Sequence, residues 1–304
     1  MAGVITRGVN PKLMWPGLNT IYGLTYNEYS PQWKELFPTS YMSDKAYEED
    51  VSMTGVGLAP VKPEGDAFSY DTMKQAYTSR YTHVAYSIGY IISYEETRDN
   101  QYSQVGPQRT RNVAFSMHQT KERIAADIYN RAFNSSYTGG DGVSFINSSH
   151  PTEGGTLSND ATVAANLSEY ALEQMIIQIQ QIRDNRNNLI SVMPDALIVP
   201  PAQQFEATRI MRNPDRPGTA DRDINAIYTL GMLPGGVKVN QFLTSTTAWF
   251  IRTNCPDGLK HFQREAPIFR NDNDFPTMNA RFSGYERYSF GWTDWRGLFG
   301  NEGV

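Results

Sequence analysis

An alternating segment in the first third of the chain places the strongest limit on the fold. From Arg80 to Ile92, large apolar residues alternate with smaller or polar ones, and this two-residue period predicts a β-strand. The bulky face comprises Val84, Tyr86, Ile88, Tyr90 and Ile92. Thirteen residues at about 3.3 Å each extend roughly 40 Å, whereas strands in compact domains usually have about 5 to 6 residues. We therefore predict that this strand projects from the globular body.

A partner strand and a turn precede this segment. The stretch VSMTGVGLAPV, residues 51–61, can form the partner, and KPEGD, Lys62 to Asp66, has turn chemistry. The register stays open because residues 69–75 also lie between the two strands. We predict a long hairpin over residues 45–95. Its candidate contacts with other subunits are Lys62, Glu64, Asp66, Tyr86 and Tyr90.

The N-terminal segment, residues 1–44, is rich in Pro, Gly and Tyr and shows no sustained helical or strand period. We predict an extended arm. Trp15, Tyr22 and Trp33 make it too apolar for a solvated tail, so it lies either against its own subunit or against a neighbour. The sequence gives these two alternatives equal support, and the three aromatic residues are candidate inter-subunit contacts.

The rest of the chain mixes helices and strands. Apolar residues at helical spacing, including Val113, Met117 and Ile124, predict a helix of about 25 residues after Pro107, roughly 38 Å long. A second helix begins after Ser168, and DALIVPP, Asp195 to Pro201, predicts a short buried strand. Because no regular βαβ period follows, the predicted fold class is α+β.

Composition narrows the class of protein. Hydrophobic residues make up 39% of the chain. When the 24 glycines are counted in place of the 18 tyrosines, the share is about 41%, which is below the usual ~45–50% of soluble domains. Aromatic residues contribute 12%, which suits half-buried or inter-subunit surfaces. The net charge of −5 has no basic stripe, so specific reading of DNA is not expected. The single Cys255 and the lack of an apolar leader or span predict a soluble, non-secreted protein.

The loop GGDGVSFINSSHPTEGG, residues 139–155, is the best candidate for an active site. A catalytic interpretation combines Asp141, Ser149, His150 and Glu153. The alternative is a structured turn in which His150 hydrogen-bonds nearby backbone before a proline corner. We favour the turn, because no partner residues stand at a recognisable spacing.

Other chemical motifs are absent or incomplete in the sequence. The four histidines are at least 32 residues apart, which is too far for a local zinc motif, and we expect His118 on the surface of the long helix. Asp272 and Asp274 resemble the start of a calcium loop but lack the glycine and the closing glutamate. Cys255 has no histidine partner and is expected to be a packed thiol. The sequence therefore predicts no enzyme, no cofactor and no metal site.

The order of these elements resembles the major capsid proteins of tailed phages, with the Hong Kong 97 type fold. Within that class the chain is most similar to the Mu-like major head subunit family. The resemblance includes the loop from Asp141 to Pro151, with its DG, F and HP positions, and the strand PDALIVPP from Pro194 to Pro201. It covers nearly the whole chain, and the order of elements carries most of it.

The resemblance implies a division into domains. Residues 1–44 would form the N-terminal arm, and residues 45–95 an extended hairpin, the E-loop. Residues 96–195 and 261–304 would form a peripheral domain around a long spine helix, and residues 196–260 an axial domain. Such subunits assemble as hexamers and pentamers into an icosahedral shell, with the hairpin and the arm lying over adjacent subunits.

The resemblance also implies partners and a location. These are a portal protein, a decoration protein and packaged double-stranded DNA held without sequence specificity, in a virion capsid assembled in the host bacterial cytoplasm without a membrane. A separate scaffolding protein is expected, because the arm begins within about fifteen residues of Met1. Two alternatives stay open: a nanocompartment shell that encloses a cargo enzyme, and a hydrolase that uses His150.

Overall fold

The computed structural model describes residues 15–98, 102–215, 223–274 and 276–304. The helices are α1 (Trp15–Glu28), α2 (Trp33–Leu36), α3 (Tyr94–Arg98), α4 (Tyr102–Asn130), α5 (Glu169–Gln180), α6 (Gln204–Arg212) and α7 (Ala226–Leu230). The strands are β1 (Thr39–Met42), β2 (Tyr47–Met53), β3 (Gln75–Thr82), β4 (Val84–Ile92), β5 (His150–Thr152), β6 (Gly155–Leu157), β7 (Pro194–Val199), β8 (Gly236–Val239), β9 (Trp249–Thr253), β10 (Leu259–Asn273), β11 (Ala280–Trp292) and β12 (Leu298–Asn301). The predicted α+β class is confirmed.

The first sheet has the strand order β1-β10-β11-β4. Its centre is the long antiparallel pair β10 and β11, whose register runs from Leu259 opposite Trp292 to Asn273 opposite Ala280. Helices α1 and α4 cover one face of this sheet. The cover is close, since a Cβ atom at Gly284 would come within 3.0 Å of the Tyr22 hydroxyl.

The second sheet has the order β12-β9-β7-β8, with β7 parallel to β8 and antiparallel to β9. Strand β7, which the sequence predicts from DALIVPP, is buried along Ala196 to Val199. The edge strand β12 of this second sheet comes from the segment 261–304, which the sequence assigns to the peripheral domain. This strand pairs with β9, so the end of the chain lies in the sheet of the segment 196–260.

Two hydrophobic cores hold the subunit together. The larger one joins α4, α5 and the second sheet and includes Leu172, Trp249 and Phe299. The smaller one joins α1, α4 and the first sheet and includes Leu18, Met117 and Phe282. Helix α4 contributes to both cores, so it acts as the spine between them.

The predicted spine helix is confirmed as α4, which has 29 residues and a length of about 44 Å. His118, which the sequence predicts to be a solvated or contact residue on the helix surface, is not solvated, because α1 covers that side of α4 and leaves the histidine only 6% exposed. The predicted second helix is also confirmed. It is α5, which is capped by Ser168, whose hydroxyl accepts a hydrogen bond from the amide of Ala171.

The described part of the N-terminal segment, residues 15–44, differs from the predicted extended arm, because residues 15–28 form helix α1. Residues 1–14 of the predicted arm lie outside the described residues. Leu18, Tyr22 and Tyr26 stand four residues apart and lie on one side of a helix, and this side packs on α4 and β10. Gly17 and Gly23 obscure that spacing in the sequence. Tertiary packing supplies the stability that the local sequence lacks.

The predicted thirteen-residue strand is wrong in its continuity, because it divides at His83. Strand β3 pairs with β2, whereas β4 pairs with β11 in the first sheet. The His83 ring lies between the hydroxyls of Ser43 and Ser289, at 3.0 and 2.9 Å. The hairpin therefore consists of β2, β3 and the loop 54–74, which we call the hairpin loop, and the partner strand is residues 47–53 instead of 51–61.

Candidate inter-subunit surface

The hairpin loop and its flanking strand residues carry a dense set of exposed apolar side chains. These are Val51, Met53, Val56, Leu58, Val61, Phe68, Tyr70 and Met73. Leu58, Val61 and Tyr70 are 83, 93 and 91% exposed. Single exposed apolar residues are ordinary, but so many within one loop are typical of a surface that another molecule covers.

The tip of the hairpin loop holds three of the sequence-predicted contact residues. Lys62, Glu64 and Asp66 are all exposed. The amide of Asp66 donates to the carbonyl of Pro63 at 3.3 Å, and Gly65 adopts a φ of 88°, which favours glycine. The turn predicted from KPEGD is therefore confirmed, and it presents charge at the end of an apolar loop.

Polar contacts fix the base of the hairpin loop to the body. Thr54 and Lys74 exchange hydrogen bonds of 2.8 and 2.9 Å across the base, and Lys74 Nζ lies 2.7 Å from Glu153. Asp71 pairs with Arg186 and accepts from the amide of Gly57. The Arg186 guanidinium and this amide hold the pKa of Asp71 well below its usual range. The apolar side chains of the loop beyond these contacts remain exposed.

The other sequence-predicted contact residues lie inside the subunit or outside the described part of it. The side chain of Trp15 lies outside the described residues. Tyr22 is buried and stacks on Phe269 at 5.0 Å between ring centroids, and Trp33 is buried beside His261. Both side chains therefore pack mainly against their own chain.

Tyr86 and Tyr90 are half-buried on β4 and do not belong to the hairpin. Tyr86 stacks on Tyr288 at 4.8 Å, and Tyr90 stacks on Phe282 at 5.0 Å. The Tyr90 hydroxyl also lies 2.6 Å from that of Thr110 on α4. These rings join β4 to its neighbours in the subunit. The exposed candidates from the sequence are therefore those at the tip.

A buried ion pair joins α4 to the first sheet and to α1. Lys121 Nζ lies 2.6 Å from Glu286 Oε1 and 2.7 Å from Gln263 Oε1, and the hydroxyl of Tyr26 donates to Glu286 Oε2 at 2.8 Å. Burial lowers the pKa of Lys121. Sequence reasoning missed this cluster because its members come from four separate elements and carry no common spacing.

The loop after the spine helix contains a buried histidine cluster. His150 Nδ1 lies 2.6 Å from Asp141, and Nε2 lies 2.9 Å from Asn159 Oδ1. The amide nitrogen of Asn159 donates to three carbonyls, including that of Phe145 at 2.8 Å, which fixes its oxygen toward the histidine. Both ring nitrogens therefore face side-chain oxygens. The ring also stacks on Trp295 at 4.2 Å.

This cluster is structural. His150 is fully buried, so a substrate cannot reach it. Of the four residues in the catalytic interpretation, only Asp141 and His150 meet, since Glu153 pairs with Lys74 and Ser149 is an exposed residue whose amide donates to Asn147. The predicted structured turn is confirmed, but the expected backbone partners of His150 are wrong, because side chains take that place.

The remaining titratable candidates also have structural surroundings. Burial raises the pKa of the Cys255 thiol, which opposes nucleophilic reactivity. Asp274, from the calcium-loop resemblance, pairs with Arg281 at 2.7 Å. Burial lowers the pKa of His261 to about 3. Among the residues that the structure describes, no three His, Cys, Asp or Glu side chains are grouped to hold a metal ion. No helix within the described ranges has the length and apolarity to cross a bilayer.

The comparison with protein families decides the class. A family model described as "Phage capsid protein" matches residues 76–301. The chain belongs to this phage capsid family. It is a major capsid protein, a structural subunit of a virion shell built from repeated copies, and not an enzyme. The search of curated proteins found no match.

Solved structures share the fold of this capsid protein at low sequence identity. A virus-like particle from Pyrococcus furiosus is 10% identical, with a TM-score of 0.54, and the match covers 95% of this chain and 99% of that chain. A phage-related protein from Bordetella bronchiseptica RB50 is 12% identical, with a TM-score of 0.52 and coverages of 94% and 96%. The mature capsid of bacteriophage PhiM1 is 11% identical, with a TM-score of 0.50 and coverages of 86% and 83%. The predicted Hong Kong 97 type fold is confirmed.

Proposed function

We propose that this capsid protein assembles as hexamers and pentamers into a closed icosahedral shell around packaged double-stranded DNA. The observation that carries the proposal is the hairpin loop, which extends its apolar side chains away from both cores of its own subunit. In the proposed shell these side chains lie against the adjacent subunit. We propose the same division of the subunit into arm, hairpin, peripheral domain and axial domain, except that the hairpin comprises residues 47–82.

The energetics suit repeated, modest contacts. Fully burying one Val, Leu or Phe side chain contributes about 1.5–3 kcal/mol, so covering even part of Leu58, Val61 and Tyr70 contributes several kcal/mol per subunit. Association costs oppose part of this gain. Each contact is then weak enough to reverse, while many contacts acting together hold the shell closed.

The proposal includes the finer features that the resemblance implies. The loop from Asp141 to Pro151 and the strand from Pro194 to Pro201 support a place in the Mu-like subfamily. The net charge of −5 suits a wall around DNA, because a strongly cationic lining would bind phosphates and resist packaging. We also propose scaffolding, portal and decoration proteins as partners, with assembly in the host bacterial cytoplasm.

A second candidate is a compartment that encloses protein instead of DNA. The shared fold with a virus-like particle from Pyrococcus furiosus suits either content, and family membership favours the phage capsid. The contents of particles purified from cells that carry the complete gene cluster distinguish the two. DNA of uniform length supports the phage head, and a single enriched protein supports the compartment.

Electron microscopy of the expressed protein, with and without a scaffold, tests shell formation. We expect uniform closed particles from the wild type. The triple variant Leu58→Ser, Val61→Ser, Tyr70→Ser should stay folded but form few particles, because it loses the apolar surface of the loop. The matched control Leu58→Met, Val61→Ile, Tyr70→Phe keeps that surface and should assemble. A wild type that stays monomeric under both conditions refutes the proposed function.

A further inference from the structure

A cleft of about 460 Å³ lies between α1, the start of α2 and α4. We call it the α1–α4 cleft, and its lining includes Tyr22, Tyr26, Tyr29, Trp33, Lys34 and His118. Aromatic rings form part of the wall, together with Asn19, Asn27 and Lys121. Tyr29 contacts Phe115, which is 42% exposed and extends the aromatic surface along α4, with 5.3 Å between the ring centroids.

The cleft contains buried polar atoms that lack partners. Both ring nitrogens of His118 and the hydroxyl of Tyr22 are buried, and within the described residues they make no hydrogen bond. The nearest carboxylate oxygen recorded for His118, Oε1 of Glu122, is 3.7 Å from Nε2, beyond hydrogen-bond distance. Burial lowers the pKa of His118, so its neutral ring has one N–H donor. Because buried polar groups in folded proteins are normally partnered, this donor and the Tyr22 hydroxyl indicate that a ligand with acceptor oxygens occupies the cleft.

The edge of the cleft is basic. Lys34 is exposed at its rim, and Arg111 is exposed on α4 seven residues before His118, so the arginine and the histidine share one side of the helix. Neither Lys34 nor Arg111 forms an ion pair with another described residue. Glu28, the last residue of α1, is an exposed carboxylate. The cleft therefore combines aromatic walls, unpartnered donors and a basic edge, which together fit an acidic and aromatic segment.

The tip of the hairpin loop has this chemistry. Glu64 and Asp66 supply acceptor oxygens and negative charge, and the exposed Phe68 and Tyr70 follow directly. A larger groove of about 710 Å³ beside α5 is lined by no charged residue within the described part of the chain, so it offers no complement to the tip. Charge complementarity thus distinguishes the two depressions.

We infer that the acidic tip of the hairpin loop docks in the α1–α4 cleft of a second copy of the chain. This inference rests on the proposed function, because a shell places many copies side by side. Each subunit carries one tip and one cleft, so the contact is heterologous and propagates from subunit to subunit, as a closed ring requires. The carboxylates of Glu64 and Asp66 then lie at the mouth of the cleft beside Lys34, with the buried His118 and Tyr22 side chains beneath them.

Complementation between two charge-reversed variants tests the contact. One variant carries Glu64→Lys and Asp66→Lys, and the other carries Lys34→Glu and Arg111→Glu. Alone, each variant places like charges in the contact, and we expect particle yield to fall about tenfold or more. Mixed in equal amounts, the basic tip of the first meets the acidic cleft of the second, while the unchanged tip and cleft also pair. We expect the mixture to recover hexamers, because a six-membered ring can alternate the two variants, whereas a five-membered ring always keeps one contact between like charges.

The matched control reverses two exposed carboxylates elsewhere, Glu95→Lys with Glu302→Lys, and should assemble like the wild type. The neutral variant Glu64→Gln with Asp66→Asn should show a smaller loss than charge reversal. Near-ultraviolet circular dichroism checks that all variants are folded. Full assembly of either charge-reversed variant alone, or failure of the folded mixture to form hexamers, overturns the inference, as does a cleft variant that loses only the binding of a co-expressed scaffold. Failure of the wild type to form shells refutes the proposed function instead.

Discussion

Charged side chains that are buried inside this subunit are paired with residues from distant parts of the chain. Lys121 on α4 is matched by Glu286 on β11, and Tyr26 on α1 completes the cluster. The ammonium group also lies 4.7 Å from the centre of the Trp33 ring. Because a buried charge is tolerated only with its counter-charge, this cluster specifies how α1, α4 and the sheet meet.

Removing one member of this ion pair should destabilise the subunit. We expect Lys121→Met to lower the free energy of unfolding by about 3–5 kcal/mol, because Glu286 is left buried without its counter-charge. The double variant Lys121→Met, Glu286→Gln should recover part of that loss. Urea denaturation of the unassembled subunit measures both values. Equal stability of the single variant and the wild type would show that Glu286 is not confined in this site.

Glu122 makes stability depend on pH. Burial raises its pKa from 4.5 to about 7, so the folded subunit favours the protonated form. Its contribution to stability is fully present below about pH 4.5 and is lost as the pH rises to 7.

We expect Glu122→Gln to be more stable than the wild type at pH 8, by about 1–2 kcal/mol, and to show no such gain near pH 4. The glutamine can still accept the hydrogen bond from the amide of Gln32 while carrying no buried charge. Thermal unfolding of the unassembled subunit at the two pH values measures the difference. A gain of the same size at both pH values would contradict the assigned role of ionisation.

At the scale of elements, the hairpin loop is held at its base and free at its tip. Asp71 bridges Arg186 on the body and the amide of Gly57 within the loop. This contact and the pair of hydrogen bonds between Thr54 and Lys74 restrict the direction in which the tip extends. The tether is exposed, so its effect on global stability is small.

Loosening the tether should change local motion more than global stability. We expect Asp71→Asn to increase amide hydrogen exchange in residues 55–73 by about tenfold, because opening of the loop becomes easier, while the midpoint of thermal unfolding changes little. Mass spectrometry of the exchanged protein measures the effect. Asp66→Asn, with the same change of charge at the free tip, is the control and should leave exchange unchanged.

At the scale of the whole molecule, two cores joined by the spine helix α4 leave one segment without a core of its own. The hairpin loop exposes apolar side chains such as Val61 and Phe68. Because the chain belongs to a family of capsid proteins, other copies of the subunit can lie beside the loop and cover these side chains. The hairpin loop is thus exposed in the single subunit, and in the proposed shell a neighbouring subunit covers it.

Protease sensitivity should report whether a neighbouring subunit covers the loop. We expect the unassembled subunit to be cut first within residues 55–73, because this exposed segment lies outside both cores. In assembled particles the same bonds should be protected by at least about tenfold, because a neighbour covers the loop. Limited proteolysis of both forms at equal protein concentration measures the ratio. Equal cleavage rates would place the loop on a free surface of the shell.

Local patterns predict the elements whose apolar residues follow one period and whose ends carry capping residues. Helix α5 has apolar residues at helical spacing and the capping residue Ser168. Helix α4 keeps apolar residues at helical spacing over a long segment, and β7 is an apolar run that ends at two prolines. The lack of spaced ligands and nucleophiles also predicts a structural protein, as family membership confirms. These features depend on residues close together in the chain, so the sequence alone determines them.

Contacts between distant segments decide the rest. Helix α1 forms because the first sheet and α4 bury Leu18 and Tyr22, and the strand period from Arg80 to Ile92 breaks because β3 and β4 find different partners. The same packing buries His118 and His150 and exposes the tip of the hairpin loop. The sequence determines which face of an element is apolar, but only the tertiary structure decides what covers that face, because the free energy of burial depends on the partner and not on the period.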